Sequence, residues 1–375
     1  MRVLLLAHSI EGGGAQEVCR AWARALNGRH EVRILVLDRS AGLAEARAAL
    51  TGIPVACAEE VGAASHRSRV AHVRREVVAW QPDVLVSLET YPNLVALSAT
   101  AGLRTRTVVS EHNVPSILLK VEGPAKRAQL ALARLFYRRA DTVICVSHAV
   151  ATDIRCNFGV PPERVAVLPN GVLGGEVDAP DVTASPSRIT ILVPARLVPQ
   201  KRPAHCVAIA EALARRGARV TLVWVGDGPP DSPALRPTRG APTVEIVREP
   251  WRDDWHLLAD EETVVLLGSA YEGFGNVLVE SASRGIPVVA GSSALGCADA
   301  VVPGVTGYLA ATDSAESYAD AISEARLLSA PFSADNWLRQ FSAAATARRL
   351  ETVLRPSTLA FPLPAPAVEA GAGRG

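Results

Sequence analysis

The chain has 375 residues, 49% of them hydrophobic, and a formal net charge of +1. This length and apolar content exclude a single small module and are sufficient for two domains of ordinary size. The six cysteines form no C-x-x-C pair and mostly lie in apolar segments, which argues against a zinc site or a disulfide framework and indicates reduced core residues of a cytosolic protein.

The charge is unevenly distributed. Residues 1–170 contain 21 Lys and Arg against 15 Asp and Glu, a charge of +6, whereas the remainder carries −5. Such an asymmetry favours an anionic partner or surface for the first half. Compositional drift without functional meaning explains the same counts, and the sequence leaves both interpretations open.

Apolar, β-branched runs alternate with helical patterns along the chain. The opening MRVLLLAHSI has one positive charge, no small-residue cleavage site and too few apolar residues to span a membrane, so it predicts a first strand. Similar runs follow as EVRILVLD, DVLVSL, RTVVSEH, DTVICVS and RVAVLPNGV, then as RITILVPA, VTLVWVGDG, VEIV, TVVLLGS and IPVVAG. They are typical of parallel strands buried on both faces and joined by helices, so the fold class predicted is α/β with two doubly wound parallel sheets.

Composition sets the domain boundaries. Residues 1–172 form a first Rossmann-like domain and residues 188–332 a second one. Between them, residues 173–187 are rich in Gly, Pro, Ser and Asp without an apolar period, and we interpret them as the linker.

Two further segments follow the second domain. Residues 333–355 carry apolar side chains at near-helical spacing, with Ser333 or Asp335 as the N-cap, and predict a C-terminal helix. Whether this helix crosses back to the first domain is left open. Residues 356–375 are rich in Pro, Gly and Ala and predict a disordered tail.

In open α/β sheets, ligands bind at the carboxyl ends of the strands. In the first half, HSIEGGGAQEV follows the first strand, where Gly12, Gly13 and Gly14 let the chain approach a ligand and aim amides at it. A flexible turn is the alternative. The loop is not a dinucleotide fingerprint, because Glu17 stands where the third glycine of G-x-G-x-x-G is required.

A second strand-end loop, VVSEHNVPS, contains Glu111, His112 and Asn113. A histidine there is either a structural residue or a substrate contact. After it, residues 118–139 mix leucines and aromatic residues with six Lys and Arg. This segment is either a basic amphipathic helix that lies on an anionic membrane or a core helix whose arginines complement its C-terminal dipole.

In the second half, ITILVPA runs into RLVPQKR, which places Arg196 and Lys201 on one strand-end loop. A guanidinium fork and an ammonium suit phosphate oxygens. The next informative loop is YEGFGNVLVE, in which Gly273 and Gly275 remove side chains at the start of a helix, with Asn276 as its N-cap. The amides of residues 274–277 are thereby expected to hold a phosphate.

Glu272 and Glu280 flank this phosphate cradle. Carboxylates would repel a phosphate, but they accept hydrogen bonds from vicinal sugar hydroxyls. Two of them around a pyrophosphate site predict a ligand with a sugar at each end of a pyrophosphate, which is a nucleotide sugar.

With these residues the chain resembles the retaining glycosyltransferases of family 4, which have the GT-B architecture of two Rossmann-like domains facing a cleft. The E-x7-E element is EGFGNVLVE followed by RGIPVVA, and the R-x4-K pair is Arg196 and Lys201. VSHA, PNGV and PGVTGYL match three further family elements, at residues 146–149, 169–172 and 303–309.

The resemblance implies roles for individual residues. Glu280 is expected to bind the donor ribose and Glu272 the transferred sugar, while His112 lies near the reacting sugar. Arg196 and Lys201 are expected to hold the diphosphate. They are joined there by the amides of the glycine loop and of the second-half helix start, at Gly13, Gly14, Gly273, Phe274, Gly275, Asn276 and Val277.

Three departures from the family pattern affect the expected shape of the sugar pocket. Ala195 replaces the usual glycine before the arginine, Arg202 follows Lys201 where glycine is common, and GSAYEG replaces the usual Pro-Ser start.

The expected reaction moves a hexosyl-type sugar to an acceptor hydroxyl by front-face attack, with retention of configuration. Fixed cations at the departing diphosphate stabilise the transition state, and since no Asp-x-Asp element occurs we expect neither a metal nor another cofactor. The expected acceptor is a glycan, glycolipid or lipid-linked saccharide, and no nucleic acid partner is predicted. The expected location is the cytoplasm, with the inner face of the membrane as an open alternative.

Other functions remain open. A nucleotide-sugar epimerase of the same fold would need no acceptor, and a phosphorylase would normally be much longer. A non-catalytic nucleotide- or sugar-binding protein needs the pocket but no turnover. A nicotinamide oxidoreductase is disfavoured by the failed glycine fingerprint.

Overall fold

Two parallel sheets organise the computed structural model, which describes residues 1–121, 123–173, 188–229, 232–328, 332 and 334–355. The strand pairs in both sheets are parallel. The predicted α/β fold class with two doubly wound sheets is confirmed.

The N-terminal sheet has seven strands in the order β3-β2-β1-β4-β5-β6-β7. In chain order, its strands and helices are β1 Arg2–Ala7, α1 Gly14–Leu26, β2 Glu31–Val36, α2 Leu43–Ala48, β3 Val55–Cys57, α3 His66–Trp80, β4 Val84–Leu88, α4 Thr90–Ala99, β5 Arg106–Glu111, α5 Pro115–Val121, α6 Pro124–Phe136, β6 Thr142–Cys145, α7 His148–Phe158 and β7 Val165–Val167.

The C-terminal sheet has six strands in the order β10-β9-β8-β11-β12-β13. This part of the chain contains β8 Arg188–Pro194, α8 Pro203–Arg215, β9 Arg219–Val225, β10 Glu245–Glu249, β11 Thr263–Leu267, α9 Asn276–Ala282, β12 Val288–Gly291, β13 Gly307–Ala310, α10 Ala315–Ala325, α11 Asp335–Arg339 and α12 Ala343–Leu354.

The central strands are buried because helices cover both faces of each sheet. Every residue of β4 and β11 is buried. Two edge strands, β3 and β13, were not predicted from the sequence. They have only three and four residues and include half-buried or exposed positions, so each gives a weaker signal than the longer, fully buried central strands.

The strand order reverses once in each sheet, between β1 and β4 and between β8 and β11. A crevice forms at such a switch point, outside the carboxyl ends of the strands. The loops after these four strands carry the glycine-rich segment 12–14, Glu89, Arg196 and Glu272.

The C-terminal segment connects both domains. The expected single helix over 333–355 is divided in two: α12 begins anew because the Ser342 hydroxyl caps it by accepting a hydrogen bond from the Ala345 amide at 3.2 Å. Leu350 and Leu354 join the core of the N-terminal sheet. Of the two N-cap candidates for α11, Ser333 lies outside the described residues, and Asp335 is the first helical residue, preceded by Ala334 at the cap.

Most of the predicted linker, residues 174–187, and the predicted tail, residues 356–375, lie outside the described residues. Five cysteines are buried and Cys156 is exposed, all with free thiols. Among the described helices, none combines the length and apolar character that crossing a membrane requires.

Candidate functional site

Loops at the carboxyl ends of the two sheets lie close enough to touch. A Cβ atom added at Gly273 would lie 2.1 Å from the carbonyl oxygen of His112, and one added at Gly14 would lie 3.4 Å from Nδ2 of Asn276. The first distance leaves no room for any side chain. The EHN loop of the N-terminal domain and the EGFG loop of the C-terminal domain therefore meet backbone to backbone.

Two helices start at this junction with their first amides uncovered by side chains. Gly13 precedes α1 with φ 69° and ψ 160°, and Gly275 precedes α9 with φ 93° and ψ 65°. Both conformations favour glycine, and in the described structure neither helix has a side-chain cap. The predicted N-cap, Asn276, is instead the first residue of α9, where its Oδ1 accepts a hydrogen bond from Asn170 Nδ2 at 2.8 Å.

Lys201 and Glu272 form an ion pair in which the ammonium donates to Oε1 of the carboxylate. Their side chains are only 17% and 11% exposed. The loops that carry them are also joined through Gln200, whose Nε2 donates to the Tyr271 carbonyl oxygen at 2.9 Å. The residue expected at the diphosphate and the residue expected at the sugar thus neutralise each other.

The Arg196 side chain is exposed shortly after the end of β8, and its guanidinium forms no hydrogen bond or ion pair with the described residues. Burial raises the pKa of the Glu89 carboxyl in the other domain, and the charges of Lys126 and Arg196 oppose that rise. Arg196 is therefore a cation available to an anionic ligand.

Glu280 presents a half-buried carboxyl on α9. Burial raises its pKa to about 7, with Arg284 opposing the rise and Asp253 and Glu17 adding to it. Its carboxylate has no hydrogen-bond or ion-pair partner among the described residues. Hydroxyl groups of a ligand would supply the missing donors.

His112 is neutral at pH 7, because burial lowers its pKa to about 4. Its Nε2 lies 3.0 Å from Oγ of Ser110, while Nδ1 is buried with no partner in the described structure. The ring of Trp22, from α1, is 6.1 Å away between centroids. An unpaired imidazole nitrogen of this kind can exchange a hydrogen bond with a sugar hydroxyl.

The side chains of Phe274 and Val277 face away from such a ligand site. Phe274 is buried and packs on Phe341 at 5.5 Å between ring centroids. Val277 is a half-buried residue at the edge of the same core. Only their backbone amides are available for the expected phosphate contact.

Arg202 has a left-handed backbone, with φ 50°, at the start of α8. This conformation explains why glycine suits the position, and the guanidinium binds Oδ1 of Asp313 at 3.0 Å. The departure from the family pattern at this residue thus occurs outside the facing loops.

One site residue was missed by the sequence analysis. Glu89 directly follows β4, and its Oε2 accepts a hydrogen bond from Nε2 of Gln16, in the first turn of α1, at 3.1 Å. The strand-end rule that selected His112 would have selected Glu89 after DVLVSL as well. Within the described ranges, no group of three or more His, Cys, Asp or Glu residues has a geometry that could hold a metal ion.

Both domains match models of known protein families. Residues 12–172 match the model described as Glycosyltransferase Family 4, and residues 188–327 match the model described as Glycosyl transferases group 1.

Curated relatives share part of their length with the chain. The phosphatidylinositol N-acetylglucosaminyltransferase gpi3 subunit of Schizosaccharomyces pombe is 30% identical over 43% of this chain and 36% of its own length. The GDP-mannose-dependent alpha-(1-6)-phosphatidylinositol monomannoside mannosyltransferase of Mycobacterium tuberculosis is 28% identical over 62% of this chain and 72% of its own length. The chain therefore spans about a third of the first relative.

Solved structures share the whole fold. The Anabaena protein Alr3699/HepE, crystallised with UDP and glucose, superposes with a TM-score of 0.69 at 20% identity, covering 94% of this chain and 99% of that one. At this identity the likeness establishes the architecture alone.

Proposed function

The chain belongs to glycosyltransferase family 4 and has the GT-B architecture, and from that premise we propose that it transfers a hexosyl-type sugar from a nucleotide diphosphate sugar to an acceptor hydroxyl with retention of configuration. One observation carries this proposal. Where the strand-end loops of the two domains meet, a cation, a carboxyl and an imidazole nitrogen lack partners among the described residues: Arg196, Glu280 and His112. They are the polar groups that a diphosphate and two flanking sugars would satisfy.

The cations supply the main chemical contribution. Negative charge grows on the departing diphosphate as its bond to the sugar breaks, and fixed positive groups stabilise that charge most strongly in a site with little water. Arg196 and the uncapped start of α1 are available for it. We propose that this stabilisation takes place without a metal ion.

Donor binding would rearrange the Lys201–Glu272 pair. In the proposed complex the Lys201 ammonium turns to the diphosphate and the Glu272 carboxylate accepts hydrogen bonds from the sugar hydroxyls. The pair already holds both side chains in the cleft, which reduces the entropy lost when they turn to a donor.

The acceptor oxygen attacks from the face on which the diphosphate departs, and its proton passes to the leaving phosphate oxygen. The neutral His112 imidazole lies on the acceptor side of the EGFG loop. We assign it to holding a sugar hydroxyl rather than to carrying a charge, because burial disfavours its protonated form.

A nucleotide screen tests which nucleotide sugar the protein binds as donor. UDP, GDP, ADP and their hexose conjugates are compared by thermal shift, where at least one is expected to raise the unfolding temperature by mass action. Octyl glucoside, galactoside and mannoside then serve as acceptor probes, and the anomeric configuration of the product is read by NMR. Release of a rearranged nucleotide sugar without an acceptor would indicate the epimerase, and binding without turnover the non-catalytic alternative.

Arg196→Ala tests the role of the cation. The expected loss in kcat/KM for transfer is about 100-fold or more, as for other fixed transition-state donors. Arg75→Ala changes an exposed arginine of α3 and serves as the matched control. Near-normal kcat/KM in a folded Arg196→Ala protein would contradict the assignment.

We also propose that α6 contacts an anionic membrane, where a lipid-linked acceptor would reside. The helix exposes Leu132 and Leu135, at 45% and 62%, together with Arg127 and Arg134, and exposed Arg139 follows in the next turn. Exposed leucines among arginines are typical of helices that lie in the membrane interface. The wild-type protein is expected to sediment with phosphatidylglycerol vesicles at low salt, and the double variant Leu132→Ser/Leu135→Ser is expected not to. Absence of wild-type sedimentation at low salt would contradict the membrane proposal.

A further inference from the structure

Glu89 has a backbone conformation that is unusual for a residue with a side chain. It follows β4 at the switch point of the N-terminal sheet and precedes α4 with φ 74° and ψ 153°. Glycine is almost the only residue that populates this region. In the same sheet Gly13 makes the equivalent turn, from β1 to α1, with φ 69° and ψ 160°. The chain thus uses glycine after one central strand and a strained glutamate after the neighbouring one.

The fold makes little use of the glutamate side chain. It does not cap α4, and among the described residues its one hydrogen bond is the contact of Oε2 with Gln16 Nε2 at 3.1 Å. Gln16 belongs to the first turn of α1, so the contact keeps the carboxyl beside the glycine loop that borders the cleft. The other carboxyl oxygen, Oε1, has no hydrogen-bond partner among the residues that the structure describes.

Glu89 and Arg196 follow central strands of the two different sheets, and the charge of Arg196 acts on the Glu89 carboxyl. Burial raises the pKa of its carboxyl, and the charges of Lys126 and Arg196 oppose that rise. Arg196 comes from the other domain, so the carboxyl lies on the acceptor side of the cleft, across from the group assigned to the diphosphate. A carboxylate there would repel a diphosphate and attract a hydroxyl.

We propose that Glu89 positions the acceptor: its free oxygen accepts a hydrogen bond from the hydroxyl that attacks the sugar. The inference rests on the proposed function. During transfer the acceptor oxygen forms a bond to the anomeric carbon, the bond from that carbon to the diphosphate breaks, and its electron pair leaves with the diphosphate. The hydroxyl proton passes to the leaving phosphate oxygen, and Glu89 is unchanged at the end.

The test uses Glu89→Gln, Glu89→Gly and a matched control, Gln81→Gly. Gln81 also has a positive φ, 51°, but it follows α3 and is exposed. Both glycine variants relieve backbone strain, so each is expected to unfold at a temperature equal to or above that of wild type. Only the Glu89 variants are expected to affect transfer.

Three readouts separate acceptor positioning from donor binding. The thermal shift caused by the preferred nucleoside diphosphate and the slow hydrolysis of its hexose conjugate are expected to persist in both Glu89 variants. Transfer to the octyl hexosides is expected to fall at least 10-fold in kcat/KM for the acceptor. Gln81→Gly should transfer like wild type.

Unchanged acceptor kinetics in Glu89→Gln and Glu89→Gly would overturn the proposal. So would loss of the nucleotide-induced thermal shift together with transfer, since the carboxyl would then serve the donor site or the fold. If wild type itself neither binds, hydrolyses nor transfers from any nucleotide sugar, the proposed function fails, and this inference fails with it.

Discussion

Lys201 and Glu272 form a largely buried ion pair. Each is largely buried, at 17% and 11% side-chain exposure, and each satisfies the other. Removing one member leaves the other buried without its partner, whereas removing both leaves no orphaned charge.

We therefore predict that Lys201→Ala lowers the free energy of unfolding by about 1–3 kcal/mol. The double variant Lys201→Ala/Glu272→Gln should lose less unfolding free energy than the sum of the losses in Lys201→Ala and Glu272→Gln. Urea unfolding of wild type, the two single variants and the double variant measures this coupling. Arg215→Ala breaks an exposed pair with Glu316, at 48% and 64% exposure, and should change stability by less than about 0.5 kcal/mol. Strictly additive losses would show that the buried pair is not coupled.

Glu280 predicts a dependence of stability on pH. Burial raises the pKa of its carboxyl from 4.5 to about 7, so the folded chain favours the protonated form. That contribution is fully present below pH 4.5 and is lost as the pH rises through 7. Glu280→Gln keeps a neutral side chain at every pH.

The measurement is the difference in free energy of unfolding between wild type and Glu280→Gln, at pH 5 and at pH 7.5. We expect wild type to lose stability relative to the variant over this interval. Glu111, whose pKa burial also raises to about 7, and His112 titrate in both proteins and cancel in the difference. A difference that is constant with pH would contradict the burial of Glu280.

The sequence identified most residues that meet at the junction, but not how they pair. Strand-end loops selected His112, Arg196 and Glu272, because their position follows from the local pattern of strand and loop. The Lys201–Glu272 contact and the strain at Glu89 depend on the path of the backbone through neighbouring loops, which no local pattern encodes. The roles assigned to these residues stay predictions.

The strands also differ in how far local sequence predicts them. Central strands such as β4 are buried at every position, and four of the five residues of β4 are apolar, so they were predicted directly. The edge strands β3 and β13 are defined by their pairing with β2 and β12 rather than by composition. The helical pattern over 333–355 did not reveal the break before Ala343, where a serine cap starts a new helix.

The contact between the EHN and EGFG loops predicts that Gly273 tolerates no side chain. Gly273→Ala would place Cβ 2.1 Å from the His112 carbonyl oxygen, a backbone atom that cannot rotate away. Since the loops must separate to relieve this clash, we expect a loss of about 1–3 kcal/mol, as in other overpacked sites. Thermal unfolding measures it.

Gly14→Ala is the control for this change. It also lies at the junction, but its added Cβ would be 3.4 Å from the end of the Asn276 side chain, which is an ordinary contact. Its unfolding temperature should stay close to that of wild type. Equal effects of the two substitutions would mean that the loops do not meet as closely as described.

The domains are joined at several places besides these loops. His148 donates its backbone amide to Oδ2 of Asp299 at 2.7 Å, and Asn170 bonds to Asn276 across the same cleft. The C-terminal segment adds a longer connection: Phe341 packs on Phe274 of the EGFG loop, and α12 lies against α1. The last helix thus belongs to the N-terminal core, although it follows the second domain in sequence.

This connection predicts the effect of Leu350→Ala. The leucine is fully buried in the N-terminal core, so truncation should cost about 2–5 kcal/mol of unfolding free energy. Arg349→Ala, on the exposed face of the same helix, should cost less than about 0.5 kcal/mol. Weaker docking of α12 should also speed tryptic cleavage at exposed Arg339, just before the break between the two helices. If stability falls while cleavage at Arg339 is unchanged, α12 stabilises the N-terminal core without holding the C-terminal segment in place.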